Sequence, residues 1–286
     1  RYGEDVDYYY LALAGITEGV YRLLQQPSQG GESEAAQASE PADGAWSEGQ
    51  LGEGLYRVRV VDEGGKVNLN RADEDILRRI FRNLGVEEDQ VNVLVDSILD
   101  WRDADDLHRV NGAESDYYQA LANPYSAKNG AFDAVEDLLW VRGMSPELFY
   151  GLGGDGERRI DLRDIFTVDS QLTRVNLRTA NAPVIHALLG VSLKEADKFV
   201  DDRRKLSEKT FADLLRLFTP SASGLLQQYF VFAPPAVVAI EAGGYEEGSS
   251  TERRFRAVVR LGGGNRSVEN LRWVDEDSNP LDRKRA

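Results

Sequence analysis

The 286 residues predict an α+β domain interrupted by an all-helical insertion. Three observations carry this. The chain opens with apolar residues at helical spacing. Apolar residues then alternate at a period of two, change to a helical texture from residue 71, and return to alternation after residue 230. The two alternating stretches hold too little sheet for separate β domains, so one sheet shared by both is the economical arrangement.

The segment RYGEDVDYYYLALAGITEGVYRLLQQ sets Val6, Tyr9, Leu13, Ile16, Val20 and Leu23 three and four apart, on one face of a helix. That helix is expected to end near Gln26, before Pro27. With Arg1 rather than Met in first place, the chain is expected to be a processed or truncated product. Residues 27–54 are rich in Gly, Ser, Ala and Glu without a period, and read as a loop with Trp46 as its large anchor. LYRVRVVDEGGKVNLN reads as a hairpin, with Tyr56, Val58 and Val60 alternating with Arg57 and Arg59, a Gly64-Gly65 turn, and a return strand over 67–70.

Helices are predicted over 73–84, 88–102, 115–122, 134–140, 146–152, 182–188, 193–205 and 210–217, with Gly85, Gly143 and Gly190 as stops. Strands are predicted over 236–241, 254–261 and 268–274, with glycine-rich connections at 243–244 and 262–264. The expected divisions are 1–70 for helix, loop and hairpin, 71–230 for the helical insert, and 231–286 for the strands that complete the sheet. Within the insert, KVNLNRADEDILRRIFRNLGV and RVNLRTANAPVIHALLGV share a V-N-L-x-x-A start, a helix and an L-G-V stop. FDAVEDLLWVRGMSPELF and FADLLRLF have the same flavour, as in stacked helical hairpins.

Several functions are excluded by composition. The 49 acidic and 34 basic residues leave a net charge of −15, which argues against a general nucleic-acid binder. Without cysteine there is no disulfide, thiolate metal site or cysteine nucleophile. Two histidines, His108 and His186, cannot build a multi-histidine centre and are expected to bond locally. No G-x-S-x-G, phosphate loop or H-E-x-x-H motif is present, and LGGGN at 261–265 reads as a turn between strands. Carboxylate pairs are too common among so many acids to specify a glycosidase, so no enzyme is expected. The alternative is a helix-hairpin-helix nucleic-acid binder; against it, each hairpin turn has a single glycine and residues 67–150 are mostly acidic among the charged.

The densest charged feature is DWRDADDLHRVNGAESDYY, residues 100–118. Asp103 and Asp105, at alternate positions, can turn oxygens inward; Glu114 and Asp116 can close the shell, and Gly112 permits the turn. Carboxylates so close repel unless a cation offsets them. The EF-hand frame is absent, and a solvated acidic loop with Asp103 or Asp106 capping helices remains the other reading.

The motifs DEGGKVNLN, LVDSILDWRDADD, NGAESDYY, YSAKNGAFDAVEDLLWVRGMSPELFYG and VNLRTANAPVIHALL, in that order, resemble the minor pseudopilin GspK (general secretion pathway protein K) family of type II secretion systems. The resemblance covers about residues 55–240. It implies a pilin-like body, in which an N-terminal helix packs on an antiparallel sheet and a large helical domain is inserted in the sheet. It also implies calcium in the helical domain, carried here onto Asp103, Asp105, Glu114 and Asp116, and with them Asp100. The implied role is a cap at the pseudopilus tip that helps initiate assembly, with I- and J-type minor pseudopilins as partners and secreted cargo or secretin as further contacts. The implied location is the periplasmic part of an inner-membrane-anchored protein. Val6, Leu13, Ile16 and Val20 are the expected partner face, unless that face packs on its own sheet.

Overall fold

The computed structural model describes residues 2–25, 42–151, 159–206, 211–217, 223–249, 251–262 and 267–275. It divides into two compact units, Arg1–Gly64 with Ala233–Ala286, and Gly65–Phe232. Most of the expected 27–54 loop and the centre of the LGGGN turn lie outside the described residues.

In the first unit, helix α1 (Tyr2–Gln25) packs on a five-stranded antiparallel sheet. Its strands β1 (Ser47–Leu51), β2 (Gly54–Asp62), β7 (Val237–Tyr245), β8 (Arg253–Leu261) and β9 (Val268–Asp275) lie side by side in that order. The helical region therefore enters the chain between two neighbouring strands, β2 and β7. Alternation works as the sequence implies: Val58, Val60, Ile240, Ala242, Phe255, Ala257 and Val259 are buried in one cluster with Ala12, Ile16 and Leu23 of α1. The other face of the sheet carries ion pairs, Arg57 with Glu252, Arg59 with Glu241, and Arg256 with buried Glu63. Trp46 lies under the guanidinium groups of Arg57 and Arg59, 4.6 and 4.7 Å from its ring centre.

Three expectations are corrected in this unit. The hairpin partner of β2 is β1, not residues 67–70; Gly64 N–H bonds the Asp62 carboxylate in a short 3-10 turn that carries the chain onward. Residues 243–244 are not a connection but lie within β7, opposite Arg57 and Tyr56. Gly244 lies under α1, where a Cβ would stand 2.2 Å from the Tyr8 carbonyl oxygen, whereas a Cβ on Gly243 would meet Glu252 Oε1 at 1.8 Å. The buried face of α1 is also rotated from the expected one. It comprises Tyr8, Leu11, Ala12, Gly15, Ile16, Gly19 and Leu23. A Cβ on Gly15 would approach Ala242 Cβ to 2.8 Å, and one on Gly19 would approach Ile240 Cγ2 to 2.5 Å.

The second unit is helical but not wholly so. Strands β3 (Val67–Asn68) and β4 (Phe166–Thr167) form one parallel ladder, and β5 (Val175–Asn176) and β6 (Phe230–Val231) form another. Between and beyond them run α2 (Glu74–Asn83), α3 (Glu88–Arg102), α4 (Ser115–Gln119), a 3-10 turn (Val135–Trp140), α5 (Pro146–Gly151), α6 (Leu162–Ile165), α7 (Ala182–Leu189), α8 (Leu193–Lys205), α9 (Phe211–Arg216) and α10 (Ser223–Tyr229).

The sequence repeat is a structural repeat. In both copies the Val-Asn pair sits on a ladder, and the Asn side chain accepts from the backbone two residues on, Asn70 N at 2.8 Å and Arg178 N at 3.2 Å. Asp73 and Asn181 then cap α2 and α7. In each copy an arginine at the end of the second helix reaches back to the turn. Arg102 donates to the carbonyls of Leu69 and Ala72, and buried Arg203 to those of Leu177 and Ala180. The two copies meet where Asn83 donates to Ala187 O at 2.7 Å and Arg79 to Leu188 O.

Candidate metal centre

The acidic segment begins inside a helix. α3 buries Val91, Leu94, Val95, Ile98 and Trp101, and the same packing holds Asp96 and Asp100 inside. Asp103 is the C-cap residue of α3, and Glu114 the N-cap of α4, so two helix ends bring them to the Asp100 carboxylate. One oxygen from each of Asp100, Asp103 and Glu114 lies within 4.8 Å of the others. Asp100 is 0 % and Glu114 2 % exposed.

The loop is fixed at both ends. Arg109 N–H bonds Asp100 Oδ2 at 3.0 Å, and Asn111 bonds Asp96 Oδ2 through its backbone and side-chain nitrogens at 3.1 and 2.9 Å. Gly112 is required because a methyl there would lie 1.8 Å from Asp100 Oδ2. The Arg142 guanidinium closes this side, donating to Gly112 O at 2.8 Å while stacked on Tyr117.

Of the five expected ligands, the structure unites Asp100, Asp103 and Glu114 and leaves out Asp105 and Asp116. Asp105 is exposed and its Oδ1 accepts from Leu107 N at 2.9 Å; Asp116 is exposed and its Oδ1 accepts from Tyr117 N at 2.7 Å. Short side chains in a turn satisfy nearby amides first, which alternation along an extended loop does not take into account. Asp96, which anchors the loop, was missed: it reads as one more polar position of α3.

The electrostatics suit a cation. Burial, together with the charges of Asp100 and Asp103, pushes the Glu114 carboxyl up to about 7. Burial also raises Asp100 and Asp103, the latter further through the Asp105 charge. Both Glu114 oxygens and Asp103 Oδ1 are buried without a hydrogen-bond donor. Buried carboxylate oxygens normally have partners, and a hard cation coordinates such oxygens.

Other candidates resolve into structure. Each histidine donates locally, His108 to Arg109 O at 3.1 Å and His186 to Val191 O at 2.6 Å. The hairpin amides are spent on capping: Gly85 N bonds Arg82 O, Val86 N bonds Phe81 O, and Gly190 N bonds His186 O. Gly85 and Gly190 take positive φ, 80° and 70°, to end their helices, not to cradle phosphate. On α1, Ile16 is 4 % exposed and belongs to the core rather than to a partner face. Leu13 and Val20 are half-buried, and the side chain of Val6 lies outside the described residues. Tyr10 and Tyr21 stand most open, 58 % and 60 % exposed.

A helix on an antiparallel sheet, with a duplicated helical unit inserted between neighbouring strands, defines a pilin-like class of fold. Residues 58–153 match the family model of Type II secretion system (T2SS), protein K. Proteins named Type II secretion system protein K are similar to this chain: one from Pectobacterium carotovorum subsp. carotovorum, 26 % identical over 58 % of this chain and 51 % of that protein, and one from Pseudomonas aeruginosa, 29 % identical over 59 % and 51 %. A third, from Aeromonas hydrophila, is 37 % identical over 25 % of this chain and 22 % of that protein. The chain spans about half the length of the first two relatives. A chain in the crystal structure of the GspK-GspI-GspJ complex from the enterotoxigenic Escherichia coli type 2 secretion system shares the fold, with a TM-score of 0.64, 15 % identity, and coverage of 93 % of this chain and 95 % of that one. No helix among the described residues is long and apolar enough to cross a membrane.

Proposed function

We propose that this chain is the periplasmic body of a minor pseudopilin that caps the tip of a type II secretion pseudopilus and helps start its assembly. The match of residues 58–153 to the protein K family model, within a fold shared with a chain of the GspK-GspI-GspJ complex, carries this reading. Pseudopili grow by stacking subunits head to tail, an open assembly that does not close on itself. A subunit whose sheet admits about 170 inserted residues is too bulky to be stacked upon and fits at the end. The reading makes the protein structural rather than catalytic, the periplasmic part of an inner-membrane-anchored protein.

The carboxylate pocket adds calcium to the reading. Asp100, Asp103 and Glu114 would hold the ion, and the orphaned oxygens of Glu114 and Asp103 support the fit. A bound cation would join the end of α3 to the start of α4 and offset the charges of three carboxylates, two of them buried. Calcium, with its larger and less rigid coordination shell, suits such oxygen-only donors better than magnesium does.

Partners are I- and J-type minor pseudopilins from the same system. The outward side of α1, with Leu13, Tyr10 and Tyr21, is the surface offered, and Val20 lies at its margin against the sheet core. The test is co-expression with those two proteins followed by size-exclusion chromatography. Co-elution of the three is expected, and Leu13→Glu should weaken it because a charge in an apolar contact loses hydration without a partner. Elution of the well-folded chain by itself would refute the reading.

A further inference from the structure

We propose that Asn129 supplies a neutral oxygen to the cation held by Asp100, Asp103 and Glu114, so that the ion ties the segment around residue 129 to the acidic loop. The inference rests on the calcium reading above. Among the described residues, the buried carboxylate and amide oxygens left without a donor are Asp103 Oδ1, both oxygens of Glu114, and Asn129 Oδ1. Two of these three residues are already in the pocket. The third is bonded to the same loop: Asn129 Nδ2 donates to Asp105 O at 3.2 Å and to Asp106 Oδ1 at 2.8 Å, two and three residues past Asp103. The amide is therefore oriented, and its oxygen end is buried and unmet.

The backbone is compatible with this role. Asn129 has φ 46°, a conformation that asparagine tolerates better than most non-glycine residues, and its amide reaches the acidic loop from there. The chemistry also fits. Calcium takes six to eight oxygens, and amide or carbonyl oxygens extend the shell without adding to carboxylate repulsion.

The test uses the full chain and Ca²⁺ itself, by calorimetric titration, with Tb³⁺ luminescence sensitised by Trp101 as a second readout. Three proteins are compared: wild type, Asn129→Gly and Asn129→Asp. Asn129→Gly should weaken Ca²⁺ binding about tenfold or more, whereas its metal-free melting temperature should fall only modestly, because glycine relieves the positive φ while the amide bonds to Asp105 O and Asp106 Oδ1 are lost. Asn129→Asp restores an oxygen and should bind Ca²⁺ far better than Asn129→Gly. Wild-type affinity in Asn129→Gly would overturn the proposal and leave Asn129 as a loop clamp only. Equal losses in both variants would also overturn it, since the lost donor rather than the oxygen would then matter. If wild type binds no Ca²⁺, the calcium reading itself fails, and the proposal fails with it.

Discussion

Glu114 is a buried carboxylate whose two oxygens have no donor, and its protonation should be visible in stability. Its folded-state pKa, about 7, lies above the ordinary 4.5, so the folded protein holds the proton more tightly than the unfolded chain does. In metal-free protein this contribution is fully present below about pH 4.5 and is lost as pH rises through about 7, up to about 3 kcal/mol. Thermal melts in chelator across that range should show the decline, and Ca²⁺, which selects the ionised carboxylate, should reverse it near neutrality. A flat profile in chelator would mean that Glu114 is better solvated than its burial indicates. Gly112→Ala should abolish Ca²⁺ binding or lower the melting temperature sharply, because its methyl meets Asp100 Oδ2. The sequence showed that an acidic cluster was here but not which of its members converge. Asp105 and Asp116 look like ligands by spacing, yet each bonds a nearby amide. Asn129 gave no signal beyond its place in a Lys-Asn-Gly turn, because its role depends on an approach between loops distant in sequence.

The elements repeat the lesson at larger scale. α3 and α8 fall where their periodicity put them, since amphipathic helices of 15 and 13 residues write their faces plainly. β1 was missed because SEGQL has no apolar alternation: it is an edge strand with mostly exposed residues, defined by its hydrogen bonds to β2. The face of α1 was misjudged for a different reason. Contact with the sheet is set by the small residues Ala12, Gly15 and Gly19, which a search for large apolar side chains ranks lowest. Gly19→Val should therefore cost about 1–3 kcal/mol by overpacking against Ile240, although valine is the more apolar residue. Denaturant melts would check this, and an unchanged midpoint would mean that the helix can lift off the sheet without cost. In the helical unit, Arg203→Lys should destabilise by about 1–3 kcal/mol, because an ammonium cannot reproduce the planar fork that serves Leu177 O and Ala180 O from one nitrogen while the rest of the guanidinium is packed inside.

For the whole molecule, the change of period along the chain was enough to place the insertion in a single sheet. β2 and β7 are neighbours although the entire helical unit separates them in sequence. What periodicity could not supply was the pair of two-residue parallel ladders at the base of each helical repeat, which are too short to show alternation. The duplication is nonetheless written in the V-N-L-x-x-A starts, and the structure gives its reason: the Asn holds the turn and an arginine from the second helix holds its carbonyls. The copies have diverged where chemistry differs. Asp103 follows Arg102 in the first copy, but Arg204 follows Arg203 in the second, where it pairs with Asp201 at 3.8 Å. The most direct test of the central claim is native mass spectrometry of this chain mixed with the I- and J-type pseudopilins of its own system, in the presence of Ca²⁺. The expected result is a species containing all three proteins, with the mass of bound calcium on this chain. A chain that stays alone and metal-free, while remaining folded, would contradict it.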